Sequence, residues 1–272
     1  YNLNLTLKGN NVDLGLKGSY VAAKGESDLD FDFSLNHLDI KAFEGLLQNT
    51  ISESKGSITG TAKITGTTLN PKYSGSFNFN GASMIVKAVN SRFTLTNESI
   101  KLDNNGLYFD NLTIMDGDND KFQLDGMIST KSYTNPSFDL TLVAKHFQVV
   151  NSTKEDNDLF YGKIDIDADL AISGDLSIPK IKGKFNVNKG SDFTFVVPQD
   201  QVALTEKEGV VIFVNKENPN DILTRNRENE TSASVLKGYD IDVVLSVDES
   251  SIFKVIIDER AGDNLQISGN GD

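Results

Sequence analysis

The chain has 272 residues, no cysteine, and a net charge of −13 from 39 acidic and 26 basic residues. Without a basic block it suits neither a nucleic-acid backbone nor an anionic membrane surface, and without cysteine it holds no disulfide or thiolate metal site, a usage that fits a compartment where stray thiols oxidise. The length corresponds to roughly two domains at about 150 residues each, and the longest unbroken apolar run, Val210 to Val214, falls far short of the about 20 residues that a membrane helix needs.

Period-2 alternation, which sends apolar side chains to one face of a strand, dominates the chain. It opens with Leu3, Leu5 and Leu7 set between Asn2, Asn4 and Thr6. It returns at Leu29, Phe31, Phe33 and Leu35, interleaved with Asp28, Asp30, Asp32 and Ser34. The segment from Asp39 to about Asn49 has helical spacing instead. Asp39 can cap it and Ile40, Phe43, Leu47 and Ile51 share a face, although Gly45 weakens it. Alternation resumes at Phe138, Leu140, Leu142 and Ala144, then at Ile164, Ile166, Ala168, Leu170 and Ile172. From Pro198 to Gly238 the pattern breaks into a short strand, Val210 to Val214, and a long polar loop. A last run holds Tyr239, Ile241, Val243, Leu245 and Val247. The chain starts inside an alternation and stops at Gly269-Asn270-Gly271-Asp272, so both ends read as cuts in a longer protein.

One element occurs twice. Gly66, Pro71, Lys72, Gly75, Phe77, Asn78 and Asn80 recur as Gly174, Pro179, Lys180, Gly183, Phe185, Asn186 and Asn188. Each copy reads as a strand, a glycine needing positive φ or a bulge, a proline suited to a turn or sheet edge, and a returning strand. A half-apolar sheet must cover its apolar face, and there is too little helix to do so. A sandwich, a barrel and an open groove all satisfy these residues.

Candidates for chemistry all have plainer readings. Asp116-Gly117-Asp118-Asn119-Asp120 resembles the start of a calcium loop, but Lys121 and Met127 stand where Gly and Glu belong, so it reads as an acidic hairpin turn. His37 and His146 are the only histidines and share no ligand spacing. Asp165, Asp167 and Asp169 alternate with apolar residues and read as a solvated strand face. No Gly-x-Ser-x-Gly or phosphate-binding loop occurs. These readings point to no enzyme, no metal and no cofactor.

Ser54 to Val86, "SKGSITGTAKITGTTLNPKYSGSFNFNGASMIV", resembles a repeat of the TamB and AsmA-like family, and so does Leu159 to Pro198. "GYDIDVVLSVDESSIFKVIIDERAGDNLQISGNGD", Gly238 to Asp272, is similar to the start of that family's C-terminal domain, most specifically at "DERAGDNL", Asp258 to Leu265. The style is that of Bacteroidetes-type members. The resemblance implies an all-β fold, a long antiparallel sheet curled into an open apolar groove with one short helix near 39–49. It implies a periplasmic protein, anchored at full length in the inner membrane, that carries phospholipid between the two membranes and meets an outer-membrane barrel of the Omp85 type, such as TamA. It divides the chain into 1–53, strands with the short helix; 54–160, a first groove repeat; 161–237, a second repeat with the polar loop; and 238–272, the truncated start of the C-terminal domain. The residues expected to face acyl chains are Ile58, Ala62, Ile64, Phe77, Phe79, Ile164, Ile166, Ala168, Leu170, Ile172, Phe185 and Val187. Leu170→Asp or Ile166→Arg is then expected to block lipid passage while leaving much of the fold intact. A chaperone-like scaffold for outer-membrane barrels and a structural or adhesin β-repeat are the alternatives.

Overall fold

Alternating apolar and polar residues leave an extended chain with two unlike faces, and the computed structural model answers the pattern with strands almost throughout. It describes residues 1–47, 50–198, 240–258 and 261–268. The expected strand at Val210 to Val214, the polar loop up to Gly238 and the closing turn at Gly269 to Asp272 lie outside the described residues.

The first strands are β1 (Asn2–Lys8), β2 (Val12–Val21), β3 (Asp28–Asp39), β4 (Ile51–Thr67) and β5 (Pro71–Val86). The middle of the sheet holds β6 (Ser91–Asp103), β7 (Gly106–Met115), β8 (Lys121–Ser129), β9 (Ser137–Ser152) and β10 (Phe160–Asp175). Then come β11 (Ile178–Val187), β12 (Asp192–Val196), β13 (Asp240–Val247), β14 (Ile252–Asp258) and β15 (Asp263–Ser268). All fifteen belong to one sheet, and β1 to β10 pair in chain order, each antiparallel to the next. The far end is organised differently. β11 pairs the second half of β10 and β12 pairs its first four residues. β13 and β14 then lie parallel to β11 and β12, and β15 closes antiparallel on β14. Among the described residues β1 does not pair with the far end, so the sheet is open.

Two serines build the corner between β11 and β12 and its parallel copy between β13 and β14. Ser191 and Ser251 are fully buried there. Both hydroxyls donate to the Asn188 carbonyl, at 2.8 and 3.1 Å. The Ile252 N–H donates to the Ser191 carbonyl at 2.9 Å, which stacks one corner on the other.

The repeated element forms the hairpins β4–β5 and β10–β11. Gly66 pairs with Pro71 and Gly174 with Pro179, and both glycines have φ +85. A Cβ there would meet the Asn70 carbonyl oxygen at 2.6 Å or the Ile178 oxygen at 2.5 Å. Gly66→Ala and Gly174→Ala are each expected to cost about 1–3 kcal/mol, read as a lowered urea midpoint. Replacement of Gly117, which has open space around its Cβ position and no positive φ, is the matched control.

The expected helix is present but short: α1 covers Ala42–Leu46 only. Asp39 ends β3 and accepts from the Lys41 N–H at 2.9 Å, one step before the helix. Ile40 and Ile51 are buried as expected, yet Leu47 is exposed, because the chain leaves helical geometry at Leu47 (φ −101, ψ 44).

Bulges bend the long strands. Register shifts fall in β3 past Leu35, in β4 from Ser52 to Ser57, in β7 past Phe109 and between β9 and β10 at Ile166 and Ala168. Glu53, Asn111 and His146 take positive φ there. Such extra residues increase local twist and bend. The bending brings β6 against β9, three places away in the strand order.

Candidate functional site: an apolar face along the sheet

Residues paired across a ladder share a face, so the register traces which side chains line up. One apolar row starts at Leu7 and passes through Leu14, Leu35 and Gly60. It continues through Phe77, Ile100 and Phe109 to Gly126. Leu140, Ile172, Ile181 and Ile241 complete it. This row crosses twelve strands, which at the usual strand spacing is roughly 50 Å. A second row lies two residues along each strand. It runs from Leu5 and Leu16 through Phe33, Ala62, Gly75 and Leu102, then through Leu107, Ile128 and Phe138 to Gly174.

Glycines in and beside these rows make room for rings. A Cβ built on Gly60 would lie 2.6 Å from Phe77 Cδ1, and one on Gly18 would lie 2.6 Å from Phe31 Cδ1. The rings therefore lie flat over the neighbouring strand. Phe33 and Phe77 meet two strands apart, with centroids 6.4 Å apart.

All twelve sequence-derived residues lie on this face. Phe77 and Ile172 are in the first row and Ala62 in the second. Ile64 pairs with Phe31 and Tyr73, and Ile58 with Leu38 and Phe79. Leu170 faces Leu142 and Gly183. They are not equally open. Ile166 (5% exposed) and Ala168 are buried in the main core with Ala144 and Phe147, Val187 is buried opposite Ile166, and Ile164, Leu170 and Phe185 pack against the core's edge. Ile166→Arg would thus place a charge in a packed core, and of the two substitutions only Leu170→Asp leaves that core free of a buried charge. The row members Leu35, Ile100, Phe109 and Leu140 were absent from the sequence-derived set. Alternation in β3 and β9 already pointed to Leu35 and Leu140, but the bulge of β7 interrupts the period beside Phe109.

Outside the core around Phe147, the face has no second layer among the described residues. At its ends even the row residues are open: Leu7 is 52% exposed and Ile241 60%. Between them Phe77, Ile100, Phe109, Leu140 and Ile172 are half-buried.

The opposite face is polar and carries the charge. Lys63 bridges Asp30 and Asp32 at 3.0 Å each. The aspartate row of β10 is more engaged than a solvated face. Asp165 lies 3.3 Å from Lys163. Asp167 accepts from the His146 N–H and the Asn188 side-chain amide, both at 2.8 Å. Partial burial pushes the Asp167 carboxyl up, but these two donors outweigh it and hold it below the usual carboxylate range. His37 sits on β3 and His146 on β9. Asp116 points inward, and its oxygens accept from backbone N–H groups of its own turn and of β9.

A single open sheet, with one mostly apolar face and one charged face, defines a class of protein built around a surface rather than a pocket. The description "TamB C-terminal domain" matches residues 110–272, more than half of the chain, and the protein belongs to the TamB family. That match takes in the end of β7 and all of β8 to β15. No curated protein and no solved structure matches the chain. The TamB family is a transport and assembly module of the cell envelope that works with the Omp85-type partner TamA. Among the described residues no helix is long and apolar enough to cross a membrane.

Proposed function

We propose that the apolar face carries the acyl chains of phospholipid across the periplasm, between an inner-membrane anchor outside this chain and an outer-membrane Omp85-type partner. The observation that carries this reading is the continuous row from Leu7 to Ile241, open or half-open along most of its length, with Leu35 the one buried side chain in it. Each methylene laid on such a surface gains about 0.8 kcal/mol, so a long chain is held firmly by many equivalent contacts. Equivalence along the row lets the chain slide without a barrier at any single position. Transfer of this kind needs no reacting side chain.

The test is native mass spectrometry with lipid extraction on the protein purified from bacterial periplasm. Wild-type protein is expected to retain phospholipid, and Ile172→Asp, on β10 in the first row, is expected to lose most of it while staying folded. A lipid-free mass for well-folded wild-type protein would sink the proposal. It would favour a second reading, in which β1 and β15, the outer strands among the described residues, guide strands of nascent barrels by β-augmentation. The exposure of Leu3, Leu5, Leu265 and Ile267 along those edges supports that alternative.

A further inference from the structure

We infer that acyl chains follow the open part of the face that holds the two continuous rows, and that the part of the face centred on Phe147 is a sealed brace that holds those rows in place. The inference rests on the lipid reading above and says which residues the lipid touches.

The hairpin β7–β8 is shorter than its flanking strands. Past its turn, the start of β6 and the end of β9 come together. The Asn151 N–H donates to the Val89 carbonyl at 2.9 Å. The Asn157 side-chain amide donates to the Ala88 carbonyl at 3.1 Å, and that of Asn90 to Asp156 Oδ2 at 3.1 Å. These bonds tie the β5–β6 turn to the β9–β10 turn, so β6 to β9 close into a cone at this rim.

The cone is filled. Phe93 stacks on Phe147 at a centroid distance of 5.7 Å, and Phe122 packs against the same ring at 5.6 Å. Phe147 is 4% exposed and Ala144 3%, with Ile166 and Ala168 beside them. An interior packed to this degree has no room for a further hydrocarbon chain unless its own rings leave.

The two rows lie on the other side of this plug, toward the turns that end β8 and β10. On β9 the order runs Phe138, Leu140, Leu142, Ala144, from the open rows into the core. Sequence alternation ranks these positions as equals. The cone separates them, because Ala144 is 3% exposed while Phe138, Leu140 and Leu142 stay half-buried. The brace has a positioning role. It fixes the curl of β6 to β9, which sets the path of Ile100, Phe109 and Leu140 past it.

The experiment is photo-cross-linking of the full protein with vesicles of phosphatidylethanolamine that carries a diazirine in one acyl chain, mapped by peptide mass spectrometry. Adducts are expected on Phe77, Ile100, Leu140 and Ile172, with none above background on Phe147 or Ala168. Phe147→Leu is expected to lower the melting temperature and leave the adduct positions unchanged. Adducts on Phe147 or Ala168 at yields matching Ile100 would overturn the division into track and brace while leaving the lipid reading intact. Loss of all adducts in a Phe147→Leu protein that remains folded would overturn it as well. Absence of adducts anywhere on the wild-type protein would overturn the lipid reading, and the track with it.

Discussion

Phe147→Ala is expected to cost about 3–5 kcal/mol, the range for emptying a packed aromatic site. Phe147 holds two ring contacts at once, to Phe93 on β6 and to Phe122 on β8, and ring pairs of this kind add about 0.5–1.5 kcal/mol beyond area burial. The site has little means of collapsing, because its walls are strands fixed by their ladders and by the Asn151–Val89 backbone bond. A domain is stable by only about 5–15 kcal/mol, so this loss is a large share. An open sheet can also lose one region without the whole. The expected pattern is therefore local: hydrogen exchange speeds up most in β6 and in β9 from Ala144 to Ser152, and much less in β1 to β3. Uniform acceleration along the sheet would mean that the cone is not a separate cooperative unit. No change in exchange would mean that Phe147 does not brace it.

Much of this architecture follows from residue patterning, and the limits are physical. Alternation in β3, β9, β10 and β13 is legible because each strand has one charged or polar face. The Asp28, Asp30, Asp32 series needs no tertiary information to be placed outside. The glycines of the repeated hairpins are legible because Gly66 and Gly174 each stand before a proline at matched spacing, and positive φ is the reason a glycine is needed there. What period-2 patterning does not carry is the partner of a strand. Nothing in Ile241, Val243, Leu245 and Val247 says that they run parallel to β11, since parallel and antiparallel neighbours ask for the same alternation. Nor does it carry the bulges. Glu53, Asn111 and His146 adopt positive φ without being glycine, and each flips the face that later residues take. Nor does it carry burial: Ile166 and Ile172 share one face of β10, and only the packing around Phe147 separates them. The open groove itself came from family resemblance, because patterning alone equally suits a sandwich or a barrel.

Asp116→Ala is expected to cost about 2–4 kcal/mol, a large effect for a residue in a hairpin turn. The turn reads as solvent-facing in sequence, and Asp118 is indeed exposed, but Asp116 is 3% exposed. Its Oδ1 accepts from the N–H groups of Asp118 and Asp120 at 2.9 Å, and its Oδ2 from the Gln148 N–H at 2.7 Å. Hydrogen bonds to a charged acceptor contribute about 1.5–3 kcal/mol each, and a buried donor left without a partner costs about 1–3 kcal/mol. The turn amides can recover part of that loss through water. The Gln148 N–H lies in the buried end of β9, next to Phe147, and has no such recourse. The carboxylate therefore joins the tip of β7–β8 to the strand that closes the cone behind it. Asp118→Ala, on the exposed side of the same turn, is expected to stay within about 0.5 kcal/mol. Urea melts of the two variants separate the possibilities. Equal and small losses would show that the turn is an ordinary acidic hairpin. A large loss confined to Asp116→Ala, with faster exchange at the Gln148 amide, would show that this side chain belongs to the same brace as Phe147.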